Sequence, residues 1–187
     1  MRCISLWQPY ASLMVHGLKR IETRSAYFAK MFSTPGPLLI HAAKKWNREL
    51  YDICTAGPFR DALEQMGHKL PVRQPNDASP RPDGMPFGCL VGMVDVRAVL
   101  STDRVKWHPD SKRYFAFDQF AGQLVISEAE KAFGDYADGR IAIVTDNPVV
   151  FPKPVPLTGR QALFVVADHV YRDQLAAAAA RHPTATA

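Results

Sequence analysis

Hydrophobic and polar positions change period twice before residue 26. Cys3–Leu6 reads as a short strand, and Tyr10, Leu13 and Met14 then recur at i, i+3 and i+4, one apolar face of a helix over Pro9–His16. Pro9 suits the first position of that helix, where its missing N–H leaves nothing unpaired, and Gly17 supplies a left-handed stop. Ile21-Glu22-Thr23-Arg24 alternates apolar and polar, as a half-buried strand does. The alternation places Glu22 and Arg24 on one strand face, with Lys19 in the turn before them.

The same reading carries down the chain. Leu38–His41 is a short apolar strand after the Gly36-Pro37 breaker. Asn47 to Met66 has helical spacing, and Gly57-Pro58 divides it into two helices. Pro71, Pro75, Pro80, Pro82 and Pro86 exclude a helix or central strand over 69–86, which leaves a long surface loop. Phe87–Leu100 holds the densest apolar run, a strand buried on both faces, with Gly92 marking a bulge or the close approach of another backbone. Ser101–Lys112 is polar and reads as loop, and Arg113–Phe117 has strand character with a helical turn over Phe117–Ala121. Ile126–Phe133 reads as a helix capped by Ser127, with Glu128 and Glu130 in its first turn. Gly139–Thr145 is a strand, Asp146-Asn147-Pro148 a turn, and Val149–Leu157 a proline-studded edge. Ala162–Ala167 is the last strand, and Asp168–Arg181 is a helix fraying into a disordered tail, His182–Ala187. Short strands with helices at the start, middle and end give an α+β chain around a small β-barrel with flanking helices. Its organisation is one domain over 1–170, followed by the helix end and tail over 171–187.

Composition narrows the setting. A chain of 187 residues with 47% apolar content fits one soluble domain. No apolar run approaches the roughly 20 residues of a membrane span, and Trp7-Gln8-Pro9 interrupts the N-terminus too early for a signal peptide. Cys3, Cys54 and Cys89 are odd in number and far apart, which fits a reducing, cytoplasmic setting better than a disulfide framework or a zinc site. The net charge of +5 is unevenly placed: residues 1–50 hold eight Lys/Arg against two acids, while the rest holds fifteen against sixteen. Such a local basic excess favours polyanions.

Chemistry has few places to reside. There is no glycine-rich phosphate loop, no H-E-x-x-H and no G-x-S-x-G. The six histidines lack ligand spacing, so neither a metal nor another cofactor is expected. What remains is Lys19, Glu22 and Arg24, with His41, Lys44 and Tyr136 as later neighbours. The cluster is either an ion pair on a solvated strand face, contributing about 0.2–1 kcal/mol, or a polar group at the mouth of a cleft. His41 closes its strand beside Lys44, Lys45 and Trp46, either as a hydrogen-bonded core histidine or as a group facing that cleft.

Gly17-x-Lys19-x-x-Glu22-x-Arg24 resembles the G-x-K-x-x-E-x-R signature of the ASCH (activating signal cointegrator homology) family, which is similar in fold to the PUA domains, small β-barrels that bind RNA. Ile4–Ala11 resembles the family's opening strand and Q-P-W-A helix start, with Tyr10 where Trp is usual. Pro37–Lys44, Gly88–Val94, Phe133–Tyr136 with Gly139-Arg140, and Pro154–Gln161 resemble its later strands in order, from about residue 3 to 166.

The resemblance implies two kinds of function. One is binding of RNA or another single-stranded nucleic acid, or of a modified nucleoside, in a basic cleft lined by Lys19, Glu22, Arg24, Lys44, Lys45 and Tyr136. There Trp7, Tyr10 or Trp46 would stack on a base, with Trp46 preferred and core packing the favoured reading for Trp7 and Tyr10. The other is hydrolysis, since small members remove the acyl group of N(4)-acetylcytidine with a lysine-activated threonine. Lys19 matches that lysine, but Glu22 stands at the threonine position, and Thr23 is one residue off and points to the other face. An enzyme would then use Glu22 as a base toward water with Lys19 beside it, or His41 as the proton carrier of a ribonuclease. Binding is the preferred reading, and the sequence names no protein partner.

Overall fold

The computed structural model describes residues 1–32, 34–73, 79–108, 110–111, 113–118 and 122–181, with Phe117 and Asp118 as backbone only. In chain order the strands are β1 (Arg2–Leu6), β2 (Ile21–Ser25), β3 (Gly36–Ala42), β4 (Cys89–Ser101), β5 (Lys106–His108), β6 (Arg113–Asp118), β7 (Gly122–Ile126), β8 (Arg140–Pro156) and β9 (Leu163–Val165). The helices are α1 (Tyr10–Val15), α2 (Arg48–Thr55), α3 (Gly57–Gln65), α4 (Glu128–Ala132) and α5 (Asp168–Arg181).

Six strands pair in the order β2-β8-β4-β3-β1-β9. β1 and β3 run parallel, and the other neighbours are antiparallel. The long strands β4 and β8 carry three register shifts where they meet, and each added residue bends its strand. The sheet therefore curls into a half-barrel, with β2 and β9 left as its two edges among the described residues. A separate sheet, β5-β6-β7, covers one end.

Ala11, Met14 and Val15 of α1 enter the curl beside Ile4, Leu6, Ile40, Val91 and Val94. Gln8 fixes where the helix starts. Buried completely, it accepts from Ser12 N–H and donates to the Ser12 hydroxyl and the Pro86 carbonyl, so Pro9 sits at the cap and the helix begins at Tyr10. Gly17 ends it with φ +74°, as its place in the pattern requires. Gly92 serves the close approach expected of it: a Cβ there would lie 2.1 Å from Val149 O and 2.8 Å from Val15 Cγ1. All three cysteines are buried and free, and burial pushes Cys3 and Cys54 up to about 12.

Three expectations need correction. Ser101–Lys112 is not plain loop: Thr102–Arg104 forms a 3-10 turn and Lys106–His108 an edge strand, whose exposed residues give no apolar period. Gly122–Ile126 is a further strand, so Ile126 belongs to β7, and α4 starts at Glu128 under the expected Ser127 cap. The turn at Asp146-Asn147-Pro148 lies inside β8, where Asn147 at φ +47° bends the strand without reversing it. The stretch after it pairs with β4 on one side only, which accommodates Pro152 and Pro154 on the side toward α5. The expected helical turn at Phe117–Ala121 and the tail at 182–187 fall wholly or partly outside the described residues.

The described parts of 69–86 form neither helix nor strand. They are tied to the α2 side, where Tyr51 Oη donates to Pro71 O and Trp46 Nε1 to Ser79 O. No described helix is long and apolar enough to cross a membrane.

Replacing Gly92 with Ala forces a methyl group into Val149 O and should destabilise the fold by about 1–3 kcal/mol. Scanning calorimetry would read this as a lowered melting temperature. An unchanged midpoint would contradict the close β4–β8 approach.

Candidate functional site

Lys19 is 1% exposed, the least expected fact about the signature segment. Its Nζ donates to Ile21 O and, at 2.9 Å, to Phe133 O, and lies 3.6 Å from Glu22 Oε2. Two of the ammonium's three N–H donors are spent on these carbonyls, and the Glu22 carboxylate stands at ion-pair distance from it. A second buried group holds the same turn: Glu130 of α4 accepts from Arg20 N at 2.7 Å and Ile21 N at 3.0 Å. Burial raises the pKa of Glu130, opposed by the Lys19 charge and those two N–H groups. Together they clamp β2 against the chain that leaves α4.

Glu22 and Arg24 emerge from the clamped strand on one face, as alternation requires. Arg24 Nε lies 2.9 Å from Glu22 Oε1, but its N–H is not aligned for a hydrogen bond to any described group. Arg24 Nη2 donates to Ser5 O at 3.3 Å. The pair borders a hollow of about 520 Å³ whose other walls are Trp7, Tyr10, the Ala132–Asp135 segment and Arg140. Gly134 keeps that wall thin, since a Cβ there would meet the Tyr136 ring at 2.7 Å and Thr23 at 3.2 Å. Thr23, next along β2, also borders this hollow, and its Oγ1 accepts from Asp135 N–H.

A second hollow of about 540 Å³ adjoins the first and shares Ser5, Trp7 and Arg24 with it. Lys44, Arg160 and Gln161 line it, with His41 at its base. His41 Nε2 donates to Leu157 O at 2.9 Å, since a carbonyl can only accept. Its Nδ1 therefore accepts from the Ser5 hydroxyl at 3.1 Å. Burial lowers the His41 pKa below its ordinary 6.5, the Leu157 hydrogen bond opposes that, and the Lys44 charge adds to it.

The structure thus sorts the expected site residues. Glu22 and Arg24 face the first hollow, and Lys44 and His41 the second. Lys19 does not line the first hollow, because it is buried beneath as a positioning group. Tyr136 is buried too, with its hydroxyl unpartnered among the described residues; burial, then the charges of Glu130 and Glu22, hold its phenol well above its usual range. Trp46 packs edge-on against Phe87 with its indole N–H bound to Ser79 O and Pro80 O, so it is no stacking platform at either hollow.

Trp7 is the reverse case. Read as core, it is 44% exposed at the seam of the two hollows, with Lys45 Nζ 3.8 Å from its ring centre. The alternation at Leu6-Trp7 could have marked it, because Leu6 takes the inward position on β1. Ser5, Asp135 and Arg140 also border the site without having been expected there.

Residues 4–144 match the family described as ASCH domain. Two proteins named Activating signal cointegrator 1 are similar in sequence, the human one 37% identical over 108 residues and the mouse one 33% over 101. The matched segments cover 56% and 53% of this chain but only 15% and 14% of those proteins, so the chain spans about one-seventh of their length. Among solved structures, ASCH from Zymomonas mobilis aligns over 94% of this chain and 93% of its own, at 12% identity and a TM-score of 0.45. A point mutant of that bacterial protein aligns at 13% identity with the same TM-score.

The buried groups can be probed one at a time. Lys19→Met leaves two carbonyls unpaired and should cost on the order of 3 kcal/mol, read as a lower denaturation midpoint; a neutral outcome would refute the clamp. For His41 the folded pKa lies below the unfolded one, so the unfolded chain takes up protons first. Its contribution to stability is complete above 6.5 and is lost as pH falls through the lower folded value. Ring-proton NMR should place its titration midpoint below 6.5, and a midpoint above that would reverse the sign.

Proposed function

This chain belongs to the ASCH domain family, and on that premise we propose that it binds single-stranded nucleic acid, RNA in the first place, with one unpaired nucleotide in the first hollow. The observation that carries the reading is the half-exposed Trp7 indole at the seam of two hollows, flanked by the Arg24 guanidinium. An unpaired base stacks on an aromatic ring whatever its identity, and an adjacent guanidinium suits the phosphate that follows it.

The two hollows divide the work. The first is not simply basic: Arg24 and Arg140 share it with Glu22, Glu49 and Asp135. Such mixed charge suits the polar edge of a base, whose amino group would donate to the Glu22 carboxylate. The second carries Lys44, Arg160 and Arg24 and suits the neighbouring phosphates. Lys19 supports this from below, holding Glu22 at a fixed height without touching the ligand. Buried, with two donors on backbone carbonyls and Glu22 beside it, the lysine is poorly placed to activate a nucleophile, and this favours binding over acyl hydrolysis.

The test is fluorescence anisotropy with a labelled single-stranded RNA of about six nucleotides at two salt concentrations. Affinity should fall with salt, with a slope of about 0.7 per phosphate neutralised. Trp7→Ala should weaken it roughly five- to hundredfold, the equivalent of about 1–3 kcal/mol per stacked base, and Glu22→Gln should alter the preference among bases. Undiminished binding by Trp7→Ala would reject the seam as the site. Deacetylation of N(4)-acetylcytidine, or RNA cleavage, abolished by Glu22→Gln would show an enzyme instead.

A further inference from the structure

The small sheet β5-β6-β7 presents a surface that the cleft does not explain. Pairing aligns Lys106 with Phe115 and Phe115 with Val125, while His108 faces Arg113 across the next step. Alternation therefore gives the sheet two unlike faces. Tyr114, Ala116, Leu124 and Ile126 turn inward and pack with Ile21, Leu100, Tyr136 and Val144. Lys106, His108, Arg113, Phe115, Gln123 and Val125 share the opposite face.

That outer face combines three properties. It is aromatic and apolar at its centre, with Phe115 half-buried, Val125 47% exposed and the His108 ring edge-on to Phe115 at 5.8 Å. It is concave, because Arg104, Lys106, Trp107, His108, Phe115 and Gln123 border a hollow of about 470 Å³. Trp107, on the edge strand, pairs with Tyr114 and turns its ring to that side, 4.9 Å between ring centres. It is also cationic: the segment 104–115 holds Arg104, Lys106, Lys112 and Arg113 against Asp110 alone. An apolar floor by itself would suit many partners. Rings ringed by cations suit a chain of flat π-faces joined by phosphates.

We propose that this face is a second contact surface for single-stranded nucleic acid, stacking a base on Phe115 while Arg104, Lys106 and Arg113 neutralise phosphates. The inference rests on the reading of the cleft only for the ligand class, since its residues are different. α4 stands between the first hollow and the inner face of the small sheet. Its end, Ala132, borders the first hollow, and its Lys131 sits over the rings of Tyr136 and Tyr114 at 4.6 and 5.4 Å. A strand too short to leave the cleft would not reach the sheet, so length separates the two sites.

The test compares labelled single-stranded RNAs of about six and about twenty nucleotides on the full chain. The wild type should bind the longer one more tightly. The exposed pair Lys106→Glu/Arg113→Glu should remove that gain, a loss of about fivefold or more, with a shallower salt dependence and unchanged affinity for the short RNA. Phe115→Ala, checked for an intact fold by circular dichroism, should do the same with little change in salt dependence. Equal affinity of wild type and both variants for the longer RNA overturns the proposal, and so does a wild type that gains nothing from length. If the short RNA does not bind but the longer one binds through Lys106 and Arg113, the cleft reading fails and this one stands. If Trp7→Ala loses the short RNA while the sheet variants leave the longer one untouched, the reverse holds.

Discussion

A single buried ammonium organises the functional end of this molecule. Lys19 Nζ donates to a carbonyl of β2 and to a carbonyl at the end of α4 and pairs electrostatically with the Glu22 carboxylate, so one atom joins two walls and a site residue. A buried charge is tolerated only when its partners surround it. Here the balance is local: Lys19 and Arg24 stand against Glu22 and Glu130. Geometry follows from that constraint, because moving β2 away from α4 would strand at least one of these charges. The hydrogen bonds from Arg20 N–H and Ile21 N–H to Glu130 hold the same seam from its other side.

The consequence is a cleft whose polarity changes along its length. Near the clamp, carboxylates and guanidinium groups alternate, and the field falls off quickly between opposite charges. Beyond Trp7 the charged groups bordering the second hollow are Arg24, Lys44 and Arg160, and the imidazole of His41 is held by Ser5 and Leu157. A ligand that carries its anionic part to one side of a hydrogen-bonding ring matches that order. Gly134 and Gly159 mark how tightly the walls are drawn, since a Cβ at Gly159 would meet His41 Cε1 at 2.3 Å and Ser5 Oγ at 2.7 Å.

Charge counted over long stretches concealed the second basic surface. Residues 51–187 come out one acid ahead, yet four of their fifteen Lys/Arg fall within 104–115. Strand pairing then gathers Lys106, His108 and Arg113 on one side of a three-stranded sheet. The neighbouring carboxylate Asp103 is held by Ser101 Oγ and Gly139 N–H, and those hydrogen bonds lower its pKa.

Local pattern by itself determined most of the elements. The Pro9-to-Gly17 helix, the alternation at Ile21–Arg24, the split at Gly57-Pro58, the cap at Ser127 and the tight spot at Gly92 follow from backbone chemistry that neighbouring residues settle among themselves. It also picked out Glu22 and Arg24, because a strand's period of two does not depend on what packs against it. Tertiary structure alone decided the rest. Whether Lys19 faces water or a carbonyl 114 residues away, whether Trp7 or Trp46 stands free, and whether Asn147 reverses the chain or only bends it are all fixed by partners distant in sequence. Burial is a property of the assembled fold: a lysine written in a polar turn becomes its innermost charge once two strands and a helix end close around it.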